Sequence, residues 1–257
     1  MKKPKITLIT CSYFRPDLLR RAIQSAQRQT FQDFEHLVIS DHDPFTELVC
    51  NDFKDDSRIK FIENKDPYVY NLGAVSFNLG IKLAKGDLIC YLLDDDILYP
   101  NHLEAHYAAY SSGKQANMLN YDSVLLGEPD NTVKNICSKT FDDLYNMRRP
   151  YNPWSDVGSI SHTRSIGSAW PTQSELNSMS GEWEDNVFMS NIGIPSGGAT
   201  NLEKTWMKMC WGGANRKDTK GLDNEYYNLL HSKLDKSGKL IDSNPYVYES
   251  LKDKLYE

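Results

Sequence analysis

The longest strongly apolar run in the chain, Leu88-Ile89-Cys90-Tyr91-Leu92-Leu93, leads without a break into three aspartates, Asp94, Asp95 and Asp96. A run of this kind suits a strand buried within a sheet. Three consecutive carboxylates repel one another and are poor strand formers. The strand therefore has to stop at the triplet, which then needs water, hydrogen-bond donors or a cation around it.

The residues upstream alternate between the two periodicities. Lys5 to Thr10 is a β-branched run suited to a buried strand, and Asp17 to Thr30 places Leu19, Ala22, Ile23 and Ala26 at helical spacing. His36 to Ser40 predicts a second strand, and Ile59 to Ile62 a short third. Ala74, Phe77, Ile81 and Ala84 share one face of a second helix, which Gly86-Asp87 ends before the strand at Leu88 to Leu93. Asn101 to Ser111 predicts a further helix, with Asn101 as N-cap and Glu104 three residues on in a capping-box pairing. This order implies a mostly parallel sheet covered on both faces, with ligands gathering at the carboxyl edge of its strands.

After Gly113 the texture changes. Ala116 to Leu126 still reads as a strand, but residues 127 to 198 are rich in Asn, Ser, Pro and Trp. Glu182 to Ile192 predicts a helix, as do the polar, amphipathic stretches Asp223 to Leu234 and Tyr246 to Leu255. The expected organisation is a single α/β domain. Residues 1–112 form its regular ligand-binding half, 113–215 an irregular second half and 216–257 a helical tail.

Composition narrows the function. The 257 residues carry 29 basic and 35 acidic side chains, a net charge of -6, which argues against nucleic acid as a partner. The five cysteines show no CxxC spacing, so a disulfide framework or structural zinc site is not expected. The N-terminal apolar stretch is too short for a secretory signal, and no run approaches the ~20 residues of a membrane helix. The expected location is the cytoplasm. No GxGxxG follows the first strand, and P-loop and GxSxG motifs are absent. His102 and His106 lie four apart on a helix without forming HExxH.

A hard divalent ion would relieve the aspartate triplet, because Mg²⁺ and Mn²⁺ take oxygen ligands and bridge carboxylates to phosphates. The plainer reading is a solvated turn after a strand. The opening Ile6-Thr7-Leu8-Ile9-Thr10-Cys11-Ser12-Tyr13, followed by Arg15-Pro16, resembles the start of family 2 glycosyltransferases of GT-A fold. So do Gln29 to Glu35, Ile39-Ser40-Asp41, Asn78-Leu79-Gly80-Ile81, Ala84-Lys85-Gly86-Asp87 and Leu92 to Asp96, in the family's order.

The resemblance implies a nucleotide-diphosphate-sugar donor, a UDP-sugar foremost, at the carboxyl edge of the sheet. Thr10, Ser12 and Arg15 would line the nucleotide, Asp41 would meet the base or ribose, and Asp94 and Asp95 would help place the donor. Asp94 and Asp96 match the DxD pair, with Asp96 toward Mn²⁺ or Mg²⁺. Asp41 also fits an ordinary turn, and Arg15 a solvated cation at a helix entry.

Inverting members carry an acid that deprotonates the acceptor hydroxyl. Within Gly181-Glu182-Trp183-Glu184-Asp185-Asn186-Val187-Phe188 the comparison makes Asp185 that base, Glu184 its neighbour and Trp183 a stacking surface for an acceptor sugar. Ser190 and Asn191 stand where the family often has an Arg, and a charged helix start would explain the same residues. The strand-like Val157 to Arg164 resembles the strand before this acid in the family, and its His162 fits either an approach to donor or acceptor or, the favoured reading, a satisfied core histidine. Trp206, Trp211 to Gly213 and Asn215 to Lys217 read as a mobile loop, which fits closure over a diphosphate and a plain surface loop equally.

The function implied is metal-dependent, inverting transfer of a sugar to a hydroxyl of a glycan or other acceptor. The alternative is a sugar-nucleotide- or glycan-binding protein that keeps the fold without catalysis. A nucleotidyltransferase is disfavoured, because Thr10 to Pro16 lacks that class's glycine- and basic-rich loop. The terminal helices leave homodimerisation and peripheral contact with the inner face of a membrane open.

Overall fold

The computed structural model describes residues 2–13, 15–65, 73–126, 149–150, 156–167, 169–171, 175, 184–193 and 201–211. Strands β1 (Ile6–Ser12), β2 (Phe34–Ser40), β3 (Ile59–Glu63) and β4 (Leu88–Tyr91) alternate with helices α1 (Pro16–Gln27), α2 (Pro44–Asn51) and α3 (Ala74–Leu83). Then come β5 (Ile97–Leu98), α4 (His102–Ser111), β6 (Ala116–Leu126), β7 (Arg149–Pro150), β8 (Ile160–Thr163), α5 (Glu184–Asn191) and β9 (Asn201–Trp211). The strand order is β3-β2-β1-β4-β8-β6-β9-β5, with β7 on the flank of β6.

The first four strands of that order are parallel. β8 runs antiparallel between β4 and β6, and β9 lies parallel to β6. The sheet is therefore mostly parallel, as the alternation of elements predicts.

Burial on both faces follows from side-chain alternation along β1 and β4. Leu8 and Cys90 pack with Ala22 and Ala26 of α1 and Leu103 of α4. Ile9, Ile89 and Tyr91 pack instead with Phe77 and Ile81 of α3, with Trp170, and with Phe188 and Met189 of α5. Helix α3 sits very close to the sheet. A Cβ on Gly80 would lie 2.6 Å from Ile9 Cγ2 and 2.8 Å from Ile39 Cδ1, so only glycine allows this approach.

Four sequence expectations are corrected. β4 ends at Tyr91, so Leu92 and Leu93 lie beyond the strand, although Leu92 N–H still donates to Ile9 O at 3.0 Å. A helix, α2, begins at Pro44, directly after the Asp41-His42-Asp43 stretch that also fitted an ordinary turn. Asp43 caps it through Oδ1, which accepts from Phe45 N–H at 2.8 Å, and Pro44 supplies the preset first residue.

The capping box on α4 does not form. Asn101 makes no side-chain cap, and Glu104 accepts from Thr30 Oγ1 at 2.8 Å. The buried Gln29 caps this helix from a distance, its Oε1 accepting from Leu103 N–H at 3.0 Å. Finally, Trp206 and Trp211 belong to β9, which pairs along β6 and β5, and not to a mobile loop. Gly212 to Lys217 and the two expected C-terminal helices lie outside the described residues.

Candidate active site

At the carboxyl edge of β2, β1 and β4, three loops meet. β1 ends at Ser12 and delivers Tyr13 and Arg15 to the start of α1, whose Pro16 sits in the first turn. The acidic triplet emerges from β4 next to this loop. Arg15 Nη1 donates to Asp95 Oδ2 at 2.8 Å and to Asp94 Oδ1 at 3.3 Å, and Tyr13 N–H donates to Asp94 Oδ2 at 3.3 Å. One guanidinium and one backbone amide therefore hold two of the three aspartates.

These carboxylates are not solvated turn residues. Asp94 is 6% and Asp96 1% exposed. Burial pushes the Asp94 carboxyl up to about 7; Asp95 and Asp43 add to the rise, while Arg15 and the Tyr13 amide oppose it. Arg15 and the backbone only partly offset the charge gathered here.

Asp41 stands at the end of β2, its N–H donating to Ser12 O at 3.0 Å. Its Oδ1 accepts from Ser76 Oγ of α3 at 3.1 Å and from Asn64 Nδ2, just past β3, at 3.5 Å; Asn64 Nδ2 also donates to Ser76 Oγ at 3.1 Å. His42 follows with φ +62°, a left-handed conformation uncommon for a residue with a side chain, and its Nδ1 lies 3.5 Å from Asp41 Oδ1. The adjoining Asp43 is buried and accepts from Thr46 Oγ1 at 2.8 Å and from Ser12 Oγ at 3.4 Å.

The expected residues thus divide. Ser12, Arg15, Asp41, Asp94, Asp95 and Asp96 come together at one edge. Thr10 lies one step inside, fully buried, with its hydroxyl 2.8 Å from His36 Nε2. Glu184 and Asp185 are the first two residues of α5, of which the structure describes the backbone, and Trp183 lies outside the described residues. His162 is a core residue, its Nε2 2.7 Å from Tyr91 Oη and its Nδ1 3.0 Å from Thr163 O.

Asn64, Ser76 and Asp43 were not anticipated from the sequence. Asp43-Pro44 carried a readable signal, a capping residue before a helix-starting proline. Asn64 and Ser76 carried none, because they reach Asp41 from different elements.

Residues 7–165 match the model of the family described as "Glycosyl transferase family 2". The chain belongs to glycosyltransferase family 2. Among its relatives, protein CgeD of Bacillus subtilis is 31% identical over 117 residues, 44% of this chain and 28% of CgeD. A glycosyltransferase of Methanocaldococcus jannaschii is 28% identical over 139 residues, 52% of this chain and 47% of the relative. A GalNAc(5)-diNAcBac-PP-undecaprenol beta-1,3-glucosyltransferase of Campylobacter jejuni is 38% identical over 98 residues, 37% of this chain and 31% of that enzyme. The chain thus matches less than half the length of each of these relatives.

Among solved structures, Staphylococcus aureus TarS 1-349 aligns with TM-score 0.58 at 13% identity over 98% of this chain and 69% of that one. The same protein has been solved with UDP and with UDP-GlcNAc. The mannosyltransferase PcManGT of Pyrobaculum calidifontis, solved with GDP-Man and Mn²⁺, aligns with TM-score 0.51 at 13% identity over 90% of this chain and 62% of that one. These likenesses show that the family 2 chain has a GT-A type α/β fold.

Proposed function

We propose that this family 2 chain transfers a sugar from a nucleotide-diphosphate sugar, a UDP-sugar foremost, to a hydroxyl of a glycan or other acceptor. The observation that carries the reading is the Arg15–Tyr13–Asp94–Asp95 junction, which sets buried carboxylates beside Ser12 and Asp41 at the edge where parallel sheets bind ligands. Family membership and the nucleotide sugars held by the solved GT-A neighbours support it.

A divalent cation fits the residues present. Asp94 and Asp96 offer hard oxygen donors, and burial disfavours the charge on Asp94 unless a cation offsets it. Among the described residues no cluster of three or more potential metal ligands occurs. Mg²⁺ and Mn²⁺ commonly need only one or two carboxylates when substrate phosphates complete the shell. Asp96 and Asp94 would hold the ion, which when bound stabilises negative charge on a departing diphosphate.

In this reading Asp41, with Asn64 and Ser76 fixing its carboxylate, meets the base or ribose. Ser12 lines the nucleotide, Thr10 shapes the floor beneath it through His36, and Arg15 and Asp95 hold the triplet in place. Asp185, with Glu184 beside it, takes the proton from the acceptor hydroxyl as that oxygen bonds to the anomeric carbon. The bond to the diphosphate oxygen breaks on the opposite side, its electron pair leaves with the nucleotide, and configuration inverts. Trp183 offers the acceptor an apolar face. The proposed setting is the cytoplasm, with peripheral contact at the inner face of a membrane; among the described residues no helix is long and apolar enough to cross one.

Calorimetric titration with UDP, GDP, UDP-GlcNAc and GDP-Man, each with Mn²⁺ or EDTA, tests the donor site. One nucleotide series should bind only with metal, and Asp96→Ala should lose that binding. Equal binding in EDTA would overturn the metal assignment, and no binding by folded protein would overturn the donor site. Asp185→Asn should keep donor binding and lose release of the nucleoside diphosphate. Donor binding without turnover by the unsubstituted chain would favour the non-catalytic alternative, to which Ser190 and Asn191 at the family's usual Arg position also point.

A further inference from the structure

We infer that Asn78, Trp170, Phe188 and Asn191 form a clamp that positions α5, and with it Asp185, relative to the aspartates that follow β4. The inference rests on the proposed role of Asp185 as base.

The argument starts from a motif that the donor site leaves unused. Asn78, in the Asn78-Leu79-Gly80 signature, lies on α3 and meets the backbone of Trp170 in both directions. Its Nδ2 donates to Trp170 O at 3.0 Å, and its Oδ1 accepts from Trp170 N–H at 3.3 Å. An amide side chain matched to one residue's N–H and C=O fixes that residue as a strand partner would. Ala169, Trp170 and Pro171 belong to no helix or strand, so this pairing helps set their place against the sheet.

The fixed segment then grips α5 at two points. The Trp170 and Phe188 rings stack 4.1 Å apart at 7°, and Asn191 Nδ2 donates to Ala169 O at 2.8 Å. Phe188 and Asn191 are three residues apart on one helix, so the two grips fix both its rotation and its height. Phe188 also meets Tyr91 edge-on at 5.4 Å. Tyr91 is the last residue of β4, three before Asp94, and Phe188 is three after Asp185. The clamp therefore links α5 to β4 through packed rings, each ring three residues from its carboxylate. Asn191 contributes a hydrogen bond to the clamp and no charge.

Such residues act through Asp185, and misplacing a reacting group by about 1 Å can cost about 10²-fold in rate. The test compares Asn78→Ala, Asn191→Ala and Phe188→Leu with Asp185→Asn. Leu103→Ala, in the core on the opposite face, serves as a destabilised control away from the clamp. Donor affinity by calorimetry, release of UDP or GDP from their sugar nucleotides, and amide hydrogen exchange are measured on each.

The clamp variants should lose about 10- to 100-fold in kcat, keep the donor Kd, and exchange faster in 184–192 but not in β1 or β4. Leu103→Ala should keep both kcat and the α5 exchange pattern. Clamp variants with unchanged kcat and unchanged α5 exchange, while Asp185→Asn is inactive, would overturn the clamp alone. Full turnover by Asp185→Asn would overturn the catalytic reading and this inference with it. Asn78→Gln, longer by one methylene, should not rescue Asn78→Ala; recovery of kcat by Gln would also overturn the paired geometry.

Discussion

Gly86 shows how tightly single positions are constrained around the edge of this sheet. A Cβ there would lie 2.4 Å from Thr7 N and 2.5 Å from Ile6 C, both backbone atoms that cannot swing aside. Its N–H donates to Thr7 Oγ1 at 2.9 Å, and Thr7 Oγ1 donates in turn to Glu35 Oε1 at 2.8 Å. Glu35 also accepts from Lys85 N–H at 2.7 Å and from Lys60 Nζ at 2.6 Å. Burial would raise the Glu35 carboxyl, but hydrogen bonds from Lys60, Thr7 and the Lys85 amide outweigh it and hold the carboxyl below its ordinary value. The Lys85-Gly86-Asp87 signature is thus architectural, tying the entry of β4 to β1. Gly86→Ala should cost about 1–3 kcal/mol, read as a fall in the urea midpoint at unchanged slope. An unchanged midpoint would mean that β1 yields here.

Elements whose pattern is repeated along the chain were legible from sequence, and those that depend on a distant partner were not. β1 to β4, α1, α3 and α4 lie within a few residues of their expected bounds, because buried periodicity survives in any one segment. α5 was legible for the same reason. β5 is two residues long and is defined by its ladder with β9, so no local pattern could announce it. The edge position of Ser12, Arg15, Asp41 and Asp94 was legible because each follows a strand, whereas the Asn64–Ser76 support of Asp41 exists only once β3 and α3 are packed. α4 makes the same point. Its local cap, Asn101, is unused, and Gln29 supplies the acceptor from the end of α1 while its Nε2 donates to Tyr99 O at 2.8 Å. Gln29→Ala strands buried groups at both ends and should lower stability by about 1–3 kcal/mol. Amide exchange should rise at the first turn of α4; a change confined to α1 would contradict the remote cap.

Across the whole molecule, buried histidines set the response to acid. Burial lowers His36 to about 3 and His162 to about 4, and it holds His106 well below its ordinary value. Below pH 6.5 the unfolded chain protonates these rings while the folded protein refuses, so stability present at neutral pH is lost as pH falls. Asp94, raised to about 7, works the other way, because the folded state takes its proton first. The balance is about two protons, or at most about 2.7 kcal/mol per pH unit between pH 6.5 and 4.5. Urea midpoints should fall steadily across that range, and a flat profile would refute the assignment. The placement of β9 has a consequence in time. β5 follows the aspartate triplet directly, yet its ladder partners, Trp206 and Met207, emerge more than a hundred residues later. A nascent chain therefore completes β1 to β4 from near neighbours while the segment carrying the acids still waits for its outer rail. Closing so long a loop is slow, which makes the β5–β9 ladder that follows the aspartates a late event in folding.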